Sequence, residues 1–310
     1  MKSTGSIVNK IVAQEKYKKF YRKMTLEETH TVNQELLKAL SIFDRICREN
    51  GLNYMLVAGA LIGAVRDQSC IPWDDDIDVI MPRPDYFKFK KALADSDYSK
   101  EYKIVYPEEN HVITMAAHFY REEGKLTKLV DSSIGESKIY EPYAYIDILP
   151  LDSCKDSSFS DKIRGTMVNM VQLGYVSRRC FKKNDPFLAF LAKDSKELRR
   201  NLRIRKCFAF FFLPFSQKRI FKWLDRLLKY DEKSKNMTVS FGALRYFGER
   251  LPREVWLPVS EVTIDGLVVL APKDAAGYLT NRYGNYMKVP SKEEQEERMI
   301  RLKDNWEDLV

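Results

Sequence analysis

The stretch that most constrains this chain is residues 54–82, YMLVAGALIGAVRDQSCIPWDDDIDVIMP, where a run of aspartates leads into an apolar strand pattern. Side chains alternate between the two faces of a strand, so the spacing predicts that Asp74, Asp76 and Asp78 share one face. The apolar residues among them, with residues 55–57 as a partner, predict strands that are at least half buried. Carboxylates beside such strands are costly unless a cation compensates them.

Two other interpretations of the acidic run are weaker. A solvated acidic turn is common for charged runs, but the apolar neighbours here favour burial. A calcium loop of the EF-hand type would use Asp74, Asp76 and Asp78, yet it needs a glycine where the chain has Val79 and a glutamate where it has Asp85. The pattern therefore favours a divalent metal engaged in phosphate chemistry.

The residues before the acids support this interpretation. Ala58, Gly59 and Ala60 predict a small-residue turn whose backbone N–H groups can approach a phosphate. A short helix over residues 61–66 should follow, and Arg66 supplies a planar guanidinium suited to phosphate oxygens. A turn, a short helix and an acidic strand in this order predict a nucleotidyltransferase-type site.

Three blocks of the chain resemble the LicD family of bacterial transferases, which is distantly related to the fukutin-related proteins. They are GALIGAVRDQSCIPWDDDIDVIMPR at 59–83, YIDILPLD at 145–152 and YLTNRYGNYMKVP at 278–290. The resemblance implies an α+β fold with a nucleotidyltransferase-like mixed sheet, flanking helices and a helical, basic and aromatic insertion.

The resemblance also assigns roles within the site. A lone aspartate in an apolar strand, such as Asp147, is more often structural, but the family pattern makes it the third catalytic carboxylate beside Asp76 and Asp78. With Asp74 these residues would bind Mg²⁺ or Mn²⁺, and Trp73 would join Gly59, Ala60 and Arg66 at the donor nucleotide and its phosphates.

The family implies a donor and an acceptor as well. The donor would be CDP-choline or another CDP-alcohol, CMP would leave, and the acceptor would be a sugar hydroxyl of a teichoic acid, capsule or lipopolysaccharide, in some cases lipid-linked. Aromatic faces bind quaternary ammonium groups. Trp73, Tyr140, Tyr143 and Tyr145 are therefore candidates for a choline cage, and as core or rim aromatics they would be equally ordinary.

Three alternative functions stay open at this point. They are a transferase of ribitol or glycerol phosphate, a nucleotidyltransferase acting on a glycan, and a non-catalytic, membrane-associated glycan-binding protein. His118 and Arg121 could reach a substrate, although a satisfied sheet histidine and a solvated arginine are the simpler interpretations.

The overall charge predicts affinity for polyanions. The chain of 310 residues has a net charge of +8, which suits nucleic acid, anionic lipid or phosphorylated substrates. No nucleic-acid motif accompanies the basic residues, so nucleic acid is not expected as a partner. Five cysteines without a Cys-x-x-Cys pair fit a reducing compartment better than a disulfide framework.

Residues 199–230 predict a peripheral membrane contact. Their apolar centre at 207–215 is shorter than the about 20 residues that cross a bilayer, and Lys and Arg flank it. A helix–helix core with basic ends is the alternative. Residues 1–24 lack the apolar core of a signal peptide and could lie on a membrane or be a solvated helical segment. We therefore expect a cytoplasmic protein at the inner face of the cell membrane.

Composition divides the chain into four parts. We expect a basic N-terminal segment at 1–24, a catalytic core at 25–155, a helical region at 156–236 and a C-terminal hairpin with helices at 237–310.

Local patterns predict individual elements. Thr25 and Glu28 form a capping box for a helix that ends at Asn50-Gly51, and Asp152 should cap the segment after its strand. Further elements are expected as follows: a helix at 84–94, strands at 102–107, 111–120 and 126–130, a hairpin turn at Asp265-Gly266, a helix from Asp274 to Tyr283, and a charged helical tail from Ser291.

Overall fold

A computed structural model describes residues 4–109, 115–122, 144–155, 158–183 and 186–302. The helices of the described part are α1 Thr4–Val12, α2 Glu15–Lys18, α3 Leu26–Glu49, α4 Ala58–Arg66, α5 Arg83–Ala94, α6 Ser158–Lys183, α7 Pro186–Asp194, α8 Lys196–Phe212, α9 Gln217–Leu227, α10 Arg245–Gly248, α11 Arg253–Trp256, α12 Ala275–Tyr283 and α13 Lys292–Arg298. The strands are β1 Tyr21–Lys23, β2 Met55–Val57, β3 Ile77–Pro82, β4 Tyr102–Val105, β5 Ala117–Arg121, β6 Tyr145–Ser153, β7 Asn236–Thr238, β8 Arg250–Pro252, β9 Ser260–Ile264, β10 Leu267–Ala271 and β11 Ile300–Leu302.

The central sheet has the strand order β2-β3-β6-β5-β4, and β7 with β8 extends it from the end of β6. Only the β3–β6 pair within it is parallel, and the other pairs are antiparallel. Helices flank this mixed sheet, so the α+β, nucleotidyltransferase-like architecture expected from the sequence is confirmed. The strands β9 and β10 form a separate hairpin.

The main core lies between the sheet and the helices α3 and α5. The apolar face of α3 presents Leu36, Leu40 and Phe43, each with no exposed surface, and Phe43 packs edge-on to Tyr54 with ring centroids 5.0 Å apart. Strand β3 is buried along almost its whole length. The apolar run that surrounds Asp78 is therefore part of the core, as the sequence predicted. Its burial fixes the position of Asp78 along the strand.

Most local predictions are confirmed. Thr25 and Glu28 make both hydrogen bonds of the capping box, at 3.0 and 2.8 Å. The Asp265-Gly266 turn joins β9 to β10. Asp274 accepts a hydrogen bond of 2.8 Å from the backbone N–H of Gly277 at the start of α12, and Gly284 follows its end with a φ of 67°.

Other predictions need correction, or concern residues that the structure does not describe. The helical tail from Ser291 ends at Arg298, after which the chain forms β11 and pairs with β1. Asp152 caps nothing: it is fully buried in β6 and forms an ion pair with Arg83, which also donates a hydrogen bond of 2.8 Å to Asp225. The predicted strand at 126–130 and part of the one at 111–120 lie outside the described residues.

The N-terminal segment packs against the protein. Tyr17 and Phe20 are each 2% exposed, and they contact Phe187 and Phe190 of α7. Their aromatic faces are therefore used in a small core, and the exposed residues of the segment include its lysines at 16, 18 and 19.

Helices α6, α8 and α9 form the helical part that follows β6. Ile220, Phe221 and Leu224 of α9 are buried in a cluster with Val168 and Tyr175 of α6. For α9 the helix–helix core interpretation is therefore confirmed. Among the described residues, no helix combines the length and the apolar character needed to span a membrane. The boundaries proposed at 155 and 236 stay predictions.

Candidate active site

The register of three neighbouring strands brings the predicted acidic residues together. Asp78 of β3 lies opposite Asp147 of β6, and Asp147 lies opposite His118 of β5. Residues at matching positions of adjacent strands point to the same face of a sheet. The structure therefore places Asp78, Asp147 and His118 in one row across the sheet.

The remaining aspartates occupy a different position from the one predicted. Strand β3 begins only at Ile77, so Asp74, Asp75 and Asp76 precede it. Asp74 closes a turn, because its backbone N–H donates a hydrogen bond of 3.0 Å to the carbonyl of Ile71, and Asp75 and Asp76 follow in irregular backbone. We call residues 71–76 the acidic turn. The prediction that Asp74, Asp76 and Asp78 share one strand face was therefore wrong, because only Asp78 lies in the strand. A turn and a strand end bring these carboxylates close together instead.

Gly59 makes room for Asp74. A Cβ atom at position 59 would stand 1.9 Å from Oδ2 of Asp74 and 3.1 Å from its Cγ. The small-residue segment that contains Gly59 is the first turn of α4, because the helix begins at Ala58, three residues before the predicted start. Ala58 has a φ of 54°, a left-handed conformation that few non-glycine residues adopt. The first turn of α4 and the acidic turn are thus packed directly on each other.

The carboxylates act on one another through their charges. Burial, and then the charges of Asp78, Asp74 and Asp147, raise the pKa of Asp76 well above its ordinary value, although its side chain keeps an exposed face. Burial and the charge of Asp147 raise the pKa of Asp78 to about 7, while Arg282 acts in the opposite direction. Such mutual repulsion shows that negative charge is under-compensated here.

His118 contacts the candidate catalytic residue Asp147. Its Nε2 lies 3.1 Å from Oδ1 of Asp147, and its ring stacks on Tyr145 with centroids 4.3 Å apart and planes 13° apart. His118 is 4% exposed. A satisfied sheet histidine was the simpler expectation from the sequence, and the structure adds that its neighbour in the sheet is the predicted catalytic carboxylate.

The donor set fits a hard divalent cation in type and charge. Oδ1 of Asp147 is buried and receives no aligned hydrogen bond despite the nearby imidazole, and the charges of neighbouring aspartates, after the larger effect of burial, raise the pKa values of Asp76 and Asp78. Carboxylate oxygens are the ligands that Mg²⁺ prefers. Within the described part of the chain, no three His, Cys, Asp or Glu side chains stand in a finished metal cage.

The C-terminal block supplies site residues that the pattern analysis did not identify. Arg282 of α12 lowers the pKa of Asp78, and it forms an ion pair with the buried Glu249. Its Nε donates a hydrogen bond of 2.8 Å to the hydroxyl of Tyr283. Tyr278 lies close enough for the charge of Asp78 to raise its pKa further, after the larger effect of burial. The resemblance of residues 278–290 to a family block was the one signal that pointed here.

The residues proposed for the donor lie on and around α4. Arg66 has a side chain only 6% exposed, makes hydrogen bonds of 2.7–3.0 Å with Asp67, and lies 6.0 Å from the ring of Trp73. Ala60 is buried and Gly59 half-buried in the first turn. The guanidinium of Arg66 is therefore paired with Asp67, as that of Arg282 is with Glu249, and the charge of Arg282 in addition acts on Asp78.

Of the four aromatic residues proposed for a choline cage, two can be placed. Tyr145 stacks on His118 beside Asp147, and Trp73 lies in the acidic turn and packs partly against the core. Tyr140 and Tyr143 lie outside the described residues. Arg121 pairs with Glu101 at 2.5 Å and is partly exposed, as expected for a solvated arginine.

Comparison with known proteins finds similarity in the region that contains the candidate site. Residues 51–187 match the sequence profile of the family described as LicD/FKTN/FKRP, nucleotidyltransferase domain. A segment of 68 residues, 22% of this chain, is 44% identical to lipopolysaccharide cholinephosphotransferase LicD of Haemophilus influenzae, of which it covers 24%. A segment of 62 residues, 18% of this chain, is 36% identical to an uncharacterised protein of Rickettsia typhi, of which it covers 20%.

These matches span about a quarter or less of each relative's length. The matched region of this chain nevertheless contains the acidic turn, Asp78 and Asp147. Residues 51–187 therefore belong to the LicD/FKTN/FKRP nucleotidyltransferase family.

Proposed function

We propose that this protein transfers phosphorylcholine, or a similar phospho-alcohol, from a CDP-alcohol to a sugar hydroxyl of a cell-surface glycan and releases CMP. The observation that carries the proposal is the row of Asp78, Asp147 and His118 across three strands, with Asp76 and Asp74 next to it. The family match and the similarity to a cholinephosphotransferase support it. CDP-choline is the donor we favour.

The carboxylates would hold Mg²⁺ or Mn²⁺ in this reaction. Asp76, Asp78 and Asp147 are the proposed ligands, with Asp74 as a further ligand or an acid beside them. A divalent cation would neutralise the donor diphosphate and so ease the departure of CMP. Burial and the charges of neighbouring carboxylates raise the pKa values of Asp76 and Asp78, and a bound cation would favour their charged forms, which supports this assignment.

The side chains of the chain itself would orient the reactants. Asp147 would either complete the metal shell or accept the proton of the acceptor hydroxyl, and His118, 3.1 Å away, would keep its carboxylate in position. The backbone of Gly59 and Ala60, with Arg66 and Trp73, would bind the donor. Arg282 would provide a second guanidinium, besides that of Arg66, for the phosphates, because its charge acts on the site residue Asp78.

The test is release of CMP by the purified protein. The protein would be incubated with Mg²⁺, a lipid-linked glycan fraction and, in separate reactions, CDP-choline, CDP-ribitol or CDP-glycerol. We expect release from one donor, dependent on acceptor and abolished by EDTA. Asp76→Ala and Asp147→Ala should lower turnover by about 10³-fold or more while the far-UV circular dichroism stays unchanged.

The other outcomes separate the remaining functions. Transfer of the nucleotide itself to the glycan would identify a nucleotidyltransferase. Full activity in either aspartate variant would disprove the site. Nucleotide binding without turnover of any of these donors would point to a different donor or to a non-catalytic protein, and glycan binding in that case would identify a non-catalytic glycan-binding protein.

A further inference from the structure

An apolar stripe on α6 is exposed to solvent. Phe159, Ile163, Met167 and Met170 are 76%, 48%, 47% and 54% exposed. Their spacing of three and four residues places them on one face of the helix. Scattered exposed apolar residues are ordinary, but a continuous helical face of them marks a contact surface.

Two further exposed phenylalanines lie at the end of α8, next to α6. A Cβ atom on Gly174 of α6 would stand 2.3 Å from the ring of Phe212, so the C-terminal turn of α8 lies directly on α6. In that turn Phe210 and Phe211 are 72% and 71% exposed. We call these six side chains, from Phe159 to Met170 on α6 with Phe210 and Phe211 on α8, the α6–α8 apolar surface.

Helix α9 is not part of this surface. Ile220, Phe221 and Leu224 are the apolar residues of its inner face, and each is at most 5% exposed. Within the segment 199–230, exposed phenylalanines therefore occur at the end of α8, whereas the exposed stripe of α6 lies before that segment.

Positive charge is concentrated on the same helices. The sequences of α6 and α8 contain twelve Lys or Arg and two Asp or Glu, a formal charge of +10 in a chain whose total is +8, and four of these cations are buried: Arg164, Arg178, Arg179 and Arg205. One of the two acids, Asp161, is also buried and is paired with Arg164 and Arg250. Lys162, Arg203 and Lys206 are among the exposed cations.

We propose that the α6–α8 apolar surface docks the protein on a membrane rich in anionic lipid. Apolar side chains on the outer face of cationic helices match the interfacial layer of such a membrane, where acyl chains and negative headgroups lie within a few ångströms of each other. The excess of positive charge on these helices favours an anionic membrane over a neutral protein surface as the partner. The proposal concerns binding alone and stands apart from the transfer reaction.

The experiment is vesicle flotation of the full-length protein. Vesicles would contain phosphatidylcholine alone or with about 30 mol% phosphatidylglycerol. We expect binding to the anionic vesicles that weakens as salt rises from about 0.1 to 0.5 M. The triple variant Ile163→Gln, Met167→Gln, Met170→Gln keeps good helix formers and should lower the partition coefficient at least about tenfold.

A matched control replaces exposed apolar residues elsewhere. Leu26→Gln, Val268→Gln and Met287→Gln alter side chains that are 63%, 51% and 52% exposed on other elements, and this variant should bind as the unaltered protein does. In Phe159→Trp, quenching of the new indole by brominated lipid should report insertion directly.

Three outcomes would overturn the proposal. They are binding by the α6 triple variant at the control's level, equal binding to neutral and anionic vesicles, and absence of vesicle binding by the unaltered protein. If that last result came with a dimer in sedimentation velocity that the triple variant dissociates, the surface would belong to a second copy of the chain.

Discussion

At Gly59 and Gly63 of α4, an added methyl group would meet different obstacles. At position 59 the nearest atom is the carboxylate of Asp74, and at position 63 it is the backbone oxygen of Ser69, 2.3 Å away. A side chain can rotate away, but a backbone segment must shift.

We therefore expect Gly59→Ala to lower CMP release about tenfold or more by displacing Asp74, with a loss of unfolding free energy below about 1 kcal/mol. Gly63→Ala should cost about 1–3 kcal/mol. Urea unfolding and the CMP assay, applied to both variants, separate the two effects. Full activity of Gly59→Ala would show that the position of Asp74 is unimportant.

Asp78 should make the metal-free protein less stable as pH rises. Its pKa in the folded chain is about 7, above the ordinary value of 3.8, so the folded state binds more protons than the unfolded state between these values. The stability that protonated Asp78 contributes is complete below about pH 4 and is lost as pH rises through 7.

Asp78→Asn should therefore raise the unfolding free energy in EDTA by about 1–3 kcal/mol at pH 8 and change little at pH 4. Adding Mg²⁺ should stabilise the unaltered protein and not the variant. Thermal unfolding from pH 4 to 8 measures both effects, with the exposed Asp95→Asn as control. A variant less stable than the parent at pH 8 in EDTA would contradict the raised pKa.

At the scale of elements, one buried arginine joins three parts of the fold. Arg83 opens α5, forms an ion pair with Asp152 of β6 and donates a hydrogen bond to Asp225 of α9. It is 6% exposed and Asp152 is fully buried. Removing one partner of a buried ion pair leaves the other charge uncompensated.

Arg83→Met should therefore lower the unfolding free energy by about 3–5 kcal/mol. Asp225→Asn, whose side chain is 42% exposed, should cost less than about 1 kcal/mol. In the double variant Arg83→Met, Asp152→Leu we expect part of the stability to return, because no buried charge is left unpaired. Denaturant unfolding of the three variants measures this, and a loss under 1 kcal/mol for Arg83→Met would show that the ion pair is not needed.

At the scale of the molecule, the N-terminal segment completes a second core. Phe20 lies between Phe187 and Phe190, with centroids 6.4 and 5.3 Å away, and β1 pairs with β11 near the other end of the chain. This segment thus contacts α7 and β11, and the aspartates of the candidate site lie on other elements.

Phe20→Ala should lower the unfolding free energy by about 3 kcal/mol, since it opens a cavity, and leave the turnover of CMP release unchanged at 20 °C. Leu26→Ala, at an exposed position, should cost less than about 0.5 kcal/mol. Loss of turnover in the folded Phe20→Ala protein would show that this cluster is coupled to the site.

Much of the local structure could be predicted because its causes are local. The capping box at Thr25, the Asp265-Gly266 turn and the cap at Asp274 each depend on residues within a few positions of one another. The limits of α4 and β3 were predicted less well, because packing of Gly59 against Asp74 decides where the helix starts and the acidic turn ends.

By itself, the sequence determined the identity of the acidic residues and the resemblance to a family, and that resemblance implied the α+β class, since the carboxylates, their apolar neighbours and the family blocks are local features of the chain. Only the tertiary structure decided that His118 lies beside Asp147, that Arg282 acts on Asp78, that Asp152 pairs with Arg83, and that α6 rather than α9 presents the exposed apolar face. The first three of these facts join residues between about 30 and 200 positions apart. Strand register and helix packing, which no local pattern encodes, bring such residues together.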